Sequence, residues 1–384
     1  MSMKKYLTLF LKPAMYFMAK TSVKKNKAVF VSFNGTSYND NPRAISEKLH
    51  EVSPETEIVW IANNPEEMKK VVPEYVRCIK NQHRVLMKEL SDAKVWVNSF
   101  LFSPLLYKDK SQLYVQTWHA DRPFKKVLFD RVGKYAKYNK LLEQKSADYL
   151  LAGSTFGEKM LRSCFRYDGE ILKIGCPRND ILFNYTDDDV KRIKEKLGIK
   201  EDTKILLYAP TFREKTNLQG GKQISQNINL KETLSVLEEK YGSDWVCLVR
   251  AHRSGKGICG IEYDNVIMDA SDYQDMADLL VVSDFLITDY SSSYSDYALK
   301  SAPAILYQDD RDSYLEGERE FYYDVTKTPF IITQSQGELN KAIKDFDDAN
   351  VKEHCKEILD YYNCYEDGKA SEKIVKIITD FLNK

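Results

Sequence analysis

Several widespread catalytic motifs are absent from this chain of 384 residues. It has no G-x-x-x-x-G-K-[ST] loop, which excludes the P-loop class of kinases and ATPases. It has no G-x-G-x-x-G after its first strand, which argues against a nicotinamide or flavin enzyme, and no G-x-S-x-G elbow. Its seven cysteines form no C-x-x-C pair and no zinc-type spacing, so we expect reduced thiols in a cytoplasmic protein.

Acidic residues are absent from residues 1–27, although the whole chain has a formal net charge of zero, which argues against a nucleic-acid binder. The apolar segment Tyr6–Ala19 is interrupted by Lys12 and Pro13. It is shorter than the roughly 20 residues that cross a bilayer. We expect residues 1–27 to lie on an anionic membrane surface, and an ordinary packed helix with solvated lysines is the alternative.

Short apolar strands alternate with helices in two successive series. The first series has strands at Ala28–Phe33, Glu57–Ala62, Val76–Lys80, Lys94–Ser99, Leu113–Trp118, Tyr149–Gly153 and Ile171–Gly175. The second has strands at Lys204–Ala209, Trp245–Arg250, Val266–Met268, Phe285–Thr288 and Ala304–Tyr307. This pattern predicts an α/β protein with two facing, Rossmann-like, doubly wound parallel-sheet domains. We expect a basic segment at 1–27, an N-terminal domain at 28–185, a linking helix at 186–200, a C-terminal domain at 201–336 and C-terminal helices at 337–384.

Polar residues that follow these strands are the candidate site residues, because ligands bind outside the carboxyl ends of parallel strands. In the first domain they are His119, Lys126, Arg178 and Asn179. In the second they are Thr211, Arg213, Arg250, His252, Asp289, Ser291 and Ser292. Only two of the five histidines, His119 and His252, follow strands, which makes them the candidate catalytic residues.

The turn Asp289–Ser293 enters a helix that we expect to reach Lys300. Backbone N–H groups at a helix start, with the helix dipole and the serine hydroxyls, favour a phosphate. The alternative is that the serines only cap the helix, and Ser293 with Asp296 has the spacing of a capping box. We interpret the acidic run Asp310–Asp312 as a solvated turn and not as a metal site.

Six segments resemble the CDP-glycerol glycerophosphotransferase family, which makes teichoic acids and related capsules. They are FVSFNGTSYNDNP (Phe30–Pro42), QTWHADRPFKK (Gln116–Lys126), FRYDGEILKIGCPRNDIL (Phe165–Leu182), ILLYAPTFRE (Ile205–Glu214), VCLVRAH (Val246–His252) and SDFLITDYSSSYSDYA (Ser283–Ala298). The resemblance implies a GT-B fold, no metal or cofactor, a cytoplasmic location at the inner membrane face and a CDP-polyol donor. There are two departures from the family pattern. The family usually reads W-H-G-T, whereas here Trp118 and His119 are followed by Ala120, Asp121 and Arg122, and Glu320 replaces a glycine.

With such a donor, our hypothesis is that an acceptor hydroxyl attacks the β-phosphorus of CDP-glycerol or CDP-ribitol and that CMP leaves. His119 is the expected general base. His252, Ser291 and Ser292 are expected to hold the pyrophosphate, with positive charge from Arg178, Arg213 and Lys126. The acceptor is expected to be a lipid-linked glycan or polyol phosphate. A GT-B glycosyltransferase that uses a nucleotide sugar and a non-catalytic nucleotide-binding scaffold at the membrane are the alternatives.

Overall fold

The chain forms two compact units, each built from discontinuous stretches of sequence. The computed structural model describes residues 13–22, 24–102, 106–131, 146–211, 213, 227–251, 261–317 and 320–384. The first unit comprises Met1–Asp121, Leu128–Asp180 and Tyr365–Lys384, and the second comprises Arg122–Val127 and Ile181–Cys364. The chain therefore enters the second unit for Arg122–Val127 and returns to the first unit at Leu128. It enters the second unit again at Ile181 and returns to the first unit at Tyr365.

The first unit contains a seven-stranded parallel sheet in the order β3-β2-β1-β4-β5-β6-β7. Its strands are β1 (Lys25–Val31), β2 (Glu57–Ala62), β3 (Val76–Lys80), β4 (Ala93–Asn98), β5 (Leu113–Gln116), β6 (Tyr149–Ala152) and β7 (Glu170–Lys173). The register pairs Phe30 with Trp60 and Val31 with Asn98. The strand order reverses between β1 and β4, so their carboxyl ends form the crevice in which such sheets bind ligands.

The second unit contains a six-stranded parallel sheet in the order β10-β9-β8-β11-β12-β13. Its strands are β8 (Lys204–Ala209), β9 (Trp245–Val249), β10 (Ile267–Asp269), β11 (Phe285–Thr288), β12 (Ala304–Tyr307) and β13 (Ile332–Thr333). Here the order reverses between β8 and β11, where Ala209 pairs with Thr288. The expectation of two doubly wound parallel sheets is confirmed.

Helices cover both sheets. In chain order the described α-helices are α1 (residues 13–21), α2 (Asp40–Val52), α3 (Pro65–Met68), α4 (His83–Asp92), α5 (Thr155–Phe165), α6 (Asp180–Asn184), α7 (Asp187–Leu197), α8 (Leu230–Tyr241), α9 (Met276–Val282), α10 (Ser293–Tyr297), α11 (Arg311–Gly317), α12 (Gln336–Lys344), α13 (Val351–Tyr361) and α14 (Ala370–Leu382). Short 3-10 turns lie at Phe33–Gly35, Leu128–Asp130, Pro177–Asn179, Ala298–Lys300, Val325–Lys327 and Asp348–Asn350. A further predicted helix, at 133–145, lies outside the described residues.

Helix α7, predicted as the linking helix, has clear start and stop signals. Thr186 and Asp189 form a reciprocal capping box at its start. Gly198 ends it with a φ of 71°, a left-handed conformation that glycine adopts without a Cβ clash. The helix belongs to the second unit.

The hydrophobic core of the first unit includes the last helix of the chain. Phe30, Trp60 and Val95 of the sheet belong to the same buried cluster as Ile374 and Ile378 of α14. All five side chains are fully buried or nearly so. Burial of such side chains stabilises a fold by about 1.5–3 kcal/mol each, so α14 is an integral part of the first unit.

The described part of the basic segment packs against the first unit. Met15 and Ala19 of α1 are buried, whereas Tyr16 and Phe17 are 50% and 67% exposed. Lysines 20, 24, 25 and 27 each contact an acidic side chain or a backbone carbonyl of the first unit. Membrane contact is the expectation for residues 1–27, of which residues 1–12 and 23 lie outside the described residues. None of the described helices combines the length and the hydropathy that crossing a bilayer requires.

One of these contacts is a buried charge cluster around Lys27. The Lys27 side chain is 1% exposed, and its Nζ lies 2.8 Å from Glu89 Oε2 and also contacts Asp92. Glu89 Oε2 also forms an ion pair with Arg77 Nη2, at 2.7 Å. Burial alone would raise the pKa of Glu89, but the hydrogen bonds from Arg77 and Lys27 outweigh it and lower this pKa from 4.5 to about 2.

Candidate active site

The loop after β5 places His119 beside the crevice of the first sheet. Its Nδ1 lies 2.9 Å from the carbonyl oxygen of Ser99, the first residue after β4. A carbonyl oxygen can only accept, so Nδ1 carries the hydrogen, and the lone pair of the neutral ring lies on Nε2. This is the tautomer that accepts a proton through Nε2, as a general base must.

Aromatic side chains surround the half-buried His119 ring. The ring centroids lie 4.1 Å from Trp118, 5.1 Å from Phe33 and 5.7 Å from Phe100. Phe33 and Phe100 follow β1 and β4, the two strands that flank the crevice. These contacts restrict rotation of the imidazole and leave the direction of its Nε2 defined by the Ser99 hydrogen bond.

The peptide that carries His119 is strained and held by side chains. Trp118 has a φ of 52°, a conformation that costs a bulky residue about 1–3 kcal/mol. Its N–H donates to Gln116 Oε1 at 2.8 Å, and its carbonyl accepts from Asn41 Nδ2 at 3.0 Å. Asp40, which precedes Asn41, is also left-handed, with a φ of 62°. Two strained positions therefore meet through Asn41.

Arg178 lies next to this cluster, in the turn after β7. Its backbone N–H donates to Asn41 Oδ1 at 3.0 Å, and its Nη1 lies 3.4 Å from Asp40 Oδ1. Asn179 is 2% exposed and donates from Nδ2 to both carboxylate oxygens of Glu366, each at 3.0 Å. Arg178 is thus connected through Asn41 to Trp118, the residue before His119, whereas the side chain of Asn179 holds Glu366.

A second polar cluster lies behind the loop of His119. One oxygen each of Asp121 and Glu366 and the Cys176 sulfur lie within 4.8 Å of one another, which is a possible ligand set for a metal. Asp121 Oδ1 accepts from the N–H of Gly153 at 2.8 Å, and Glu366 Oε2 accepts from the N–H of Cys176 at 3.2 Å. The bond from Cys176 to Glu366 attaches the segment that begins at Tyr365 to the loop after β7, and the bond from Gly153 to Asp121 joins the loops after β6 and β5.

In the second unit, Thr211 and Asp289 meet at the crevice between β8 and β11. The N–H of Thr211 donates to Asp289 Oδ1 at 2.8 Å and lies 3.1 Å from Oδ2. Asp289 is 1% exposed. Both residues follow strands, as the sequence pattern predicted, and the Asp289 carboxylate fixes the backbone of both loops at the same point.

Arg213 forms a buried ion-pair network at this crevice. Its Nη2 lies 2.9 Å from Asp289 Oδ2 and its Nε lies 2.8 Å from Asp310 Oδ2, with the side chain only 4% exposed. The guanidinium also stacks near the rings of Tyr290 and Tyr314, at 5.0 and 4.6 Å. Burial alone would lower the pKa of Arg213, but the two carboxylates outweigh it and raise this pKa further.

These contacts correct the expectation for the acidic run. Asp310 is not part of a solvated turn, because it accepts from Arg213 and also from the hydroxyl of Tyr290 at 2.9 Å. Asp312, two residues later, is exposed. The guanidinium of Arg213 faces carboxylates, so the described geometry assigns it to the support of the crevice.

The serine turn has a different cap from the one that the sequence predicts. Ser291 Oγ accepts from the N–H of Ser293 at 3.2 Å and from its hydroxyl at 2.9 Å. Ser292 is the N-cap of α10 and makes no side-chain capping bond. The prediction of a capping box between Ser293 and Asp296 is wrong, because the buried Asp296 carboxylate accepts instead from Arg122 Nη2 at 2.8 Å. A buried cation binds a carboxylate more strongly than a backbone N–H does.

The other predicted residues are more dispersed. Arg250 donates from Nη1 to the carbonyl of Ala270 at 3.0 Å and contacts the carbonyl of Tyr273.

Lys126 Nζ forms an ion pair with Glu320 at 2.8 Å, next to an antiparallel bridge between their segments. The replacement of a glycine by Glu320 therefore supplies a partner for Lys126. His252, Glu318 and Arg319 lie outside the described residues.

A model of the family described as CDP-Glycerol:Poly(glycerophosphate) glycerophosphotransferase matches residues 14–380. The chain belongs to this family. A teichoic acid poly(glycerol phosphate) polymerase of Staphylococcus epidermidis is 33% identical over 377 residues, which cover 93% of this chain and 51% of that protein. A teichoic acid glycerol-phosphate transferase of Staphylococcus aureus is 32% identical over 372 residues, which cover 92% of this chain and 93% of that protein.

The chain spans about half the length of the Staphylococcus epidermidis and Bacillus subtilis polymerases that it matches. A solved structure of the wall teichoic acid polymerase TagF superposes with a TM-score of 0.84 and 30% identity, covering 99% of this chain and 96% of that chain. A TagF variant with a histidine replaced by asparagine, soaked with CDPG, gives a TM-score of 0.82 at 29% identity. The resemblance and the fold class predicted for this glycerophosphotransferase family member are both confirmed.

Proposed function

We propose that this chain transfers a polyol phosphate from a CDP-polyol to a hydroxyl of a lipid-linked acceptor and releases CMP. Glycerol phosphate is the proposed group, because two relatives above 30% identity over more than nine-tenths of this chain are named for it. A relative named as a ribitol-phosphate primase is 28% identical, which makes CDP-ribitol the second donor to test. The observation that supports the proposal is the contact of His119 Nδ1 with the Ser99 carbonyl, which leaves Nε2 as the acceptor atom of the neutral ring.

In the proposed reaction, His119 Nε2 takes the proton of the acceptor hydroxyl as its oxygen attacks the β-phosphorus of the donor. The bond from that phosphorus to the bridging oxygen breaks, and CMP leaves with the electron pair. Because the Ser99 carbonyl binds the Nδ1 hydrogen, it stabilises the imidazolium that forms. General-base catalysis of this kind contributes about 10²–10⁴-fold.

The proposed donor site is the crevice of the second unit. The hydroxyls of Thr211, Ser291 and Ser292 are the proposed donors for the diphosphate, and His252 is the proposed partner of the departing CMP phosphate. Asp289 and Arg213 hold the two loops in place. Donors fixed in advance in this way stabilise developing negative charge by about 3–4 kcal/mol each.

A peripheral membrane location is part of the proposal. Residues 1–12 contain no acid, and the exposed Tyr16 and Phe17 follow them on α1. Aromatic side chains and lysines suit the boundary between lipid headgroups and acyl chains. A lipid-linked acceptor is presented at the same boundary.

The test measures the released nucleotide from CDP-glycerol, CDP-ribitol and a UDP-sugar in the presence of lipid-linked acceptors. We expect CMP release from CDP-glycerol, and a loss of at least about 100-fold in His119→Asn, because asparagine keeps a donor for Ser99 but has no base. The control is His50→Asn, because His50 stacks on Tyr75 in another part of the first unit.

Three results would contradict the proposal. Release of UDP in place of CMP would identify a glycosyltransferase. Binding of CDP-glycerol without release of nucleotide from any donor would identify a scaffold. Activity of His119→Asn close to that of the wild type would remove the base from the mechanism.

A further inference from the structure

We infer that Asn41 is a positioning residue for the catalytic base, with its side-chain amide holding the peptide between Trp118 and His119 in a reactive conformation. This inference rests on the proposed function, because it concerns the same base. Asn41 is 1% exposed and lies in the first turn of α2, 77 residues before Trp118 in the chain. Its described side-chain hydrogen bonds go to the backbone of Trp118 and Arg178 and not to the imidazole, so its effect on His119 is through the backbone.

The two ends of the Asn41 amide have different partners whose chemistry fixes its orientation. Nδ2 donates to the carbonyl oxygen of Trp118 at 3.0 Å, and Oδ1 accepts from the N–H of Arg178 at 3.0 Å. A carbonyl can only accept and an N–H can only donate, so the reverse orientation would place like groups against each other at both ends. Asn41 therefore connects the loop after β5 to the turn after β7.

The conformation that Asn41 holds is one that the chain would not adopt alone. Trp118 has a φ of 52°, and a bulky residue remains left-handed only where its surroundings enforce it. Its N–H is fixed by Gln116 and its carbonyl by Asn41 and by the Thr117 hydroxyl. Rotation of this peptide would turn the Cα–Cβ bond of His119 and lengthen the bond from Nδ1 to Ser99.

Asn41→Asp separates the two functions of the amide. The substituted side chain keeps its size and an acceptor for Arg178, but it turns a carboxylate oxygen toward the Trp118 carbonyl. We expect kcat for CMP release to fall by about 10–100-fold, because displacing a reacting group by about 1 Å can cost 100-fold. We expect the KM for CDP-glycerol to stay within about twofold, because no described contact of Asn41 lies in the second unit.

A second readout does not depend on turnover. In ¹⁵N NMR of selectively labelled histidine, the wild type should show His119 with hydrogen on Nδ1, and Asn41→Asp should shift that signal or populate the other tautomer. Asn41→Ser gives the same test without an added charge, should Asn41→Asp not fold. Ser46→Ala is the control, because Ser46 is buried on the same helix and bonds only within α2 and to Tyr38.

The outcomes separate the two proposals. A fall in kcat together with a shifted His119 signal, in either variant at Asn41 but not in Ser46→Ala, supports the positioning role. An unchanged kcat and an unchanged His119 signal in a folded variant would overturn it. If the wild type releases no CMP and the His119 signal still shifts, the proposed function fails while the positioning of the ring stands.

Discussion

Replacing Asp310 by asparagine tests whether the Arg213 network supports the second unit. The carboxylate accepts two hydrogen bonds from Arg213, at 2.8 and 3.1 Å, and one from Tyr290. Breaking a buried ion pair costs about 3–5 kcal/mol. Asparagine keeps one oxygen that can accept, and Asp289 still faces the guanidinium. We therefore expect the free energy of unfolding of the second unit to fall by about 2–3 kcal/mol.

The assay must follow the second unit alone. Of the four tryptophans, Trp245 belongs to the second unit and is buried, whereas the other three belong to the first. Labelling with 5-fluorotryptophan gives each a separate ¹⁹F signal, and the Trp245 signal is followed through urea unfolding. The midpoint shift multiplied by the m-value gives the change in free energy.

Asp312→Asn is the matched control, because it removes the same charge from an exposed position two residues away. Substitutions at exposed sites usually change stability by less than about 0.5 kcal/mol. If Asp310→Asn unfolds at the same urea concentration as the wild type, the Arg213 network does not stabilise the unit. Equal destabilisation by both would attribute the effect to net charge and not to the buried contact.

Two further predictions concern the first unit and one helix of the second. Because the pKa of Glu89 is lowered to about 2 by its cationic partners, its stabilisation is complete above the unfolded value of 4.5 and is lost as the pH falls from 4.5 to 2. The stability difference between the wild type and Glu89→Gln, measured by urea unfolding, should shrink across that range by up to about 3 kcal/mol, and a constant difference would contradict this assignment. Gly157→Ala should lower the melting temperature, because its Cβ would lie 1.8 Å from Asp121 Oδ1, whereas Gly337→Ala, with open space around it, should be neutral or stabilising by up to about 1 kcal/mol.

The alternation of apolar strands and amphipathic helices was sufficient to predict both sheets. Glu57–Ala62 and Phe285–Thr288 have the same bounds in the structure as in the sequence pattern, because a buried parallel strand is a nearly continuous apolar run. Val76–Lys80 also has the predicted bounds, although this edge strand includes the exposed Arg77 and Lys80. Strand β13 was not predicted, because Ile332–Thr333 is only two residues long and carries no periodicity. The prediction also did not assign Tyr365–Lys384 to the first unit, since sequence order does not show against which sheet a helix packs.

Strand ends in the sequence indicated candidate residues but not their contacts. Thr211 and Asp289 each follow a predicted strand, whereas the hydrogen bond between them depends on the strand order, which the sequence pattern does not show. Asp310 was assigned to solvent, because its pairing with Arg213 spans 97 residues and leaves no local pattern. Asn41 lies within the motif Phe30–Pro42, which was used for the family resemblance alone. Its partner Trp118 becomes evident only in three dimensions.

The position of helix α14 has a consequence for biosynthesis. A ribosome adds residues in chain order, yet Ile374, Val375 and Ile378 complete the core around β1 and β2, which are made first. The first sheet must therefore wait, with part of its apolar surface exposed, until the entire second unit has been translated. Domains that are contiguous in sequence generally fold as they emerge, so in this chain the part translated first is finished last.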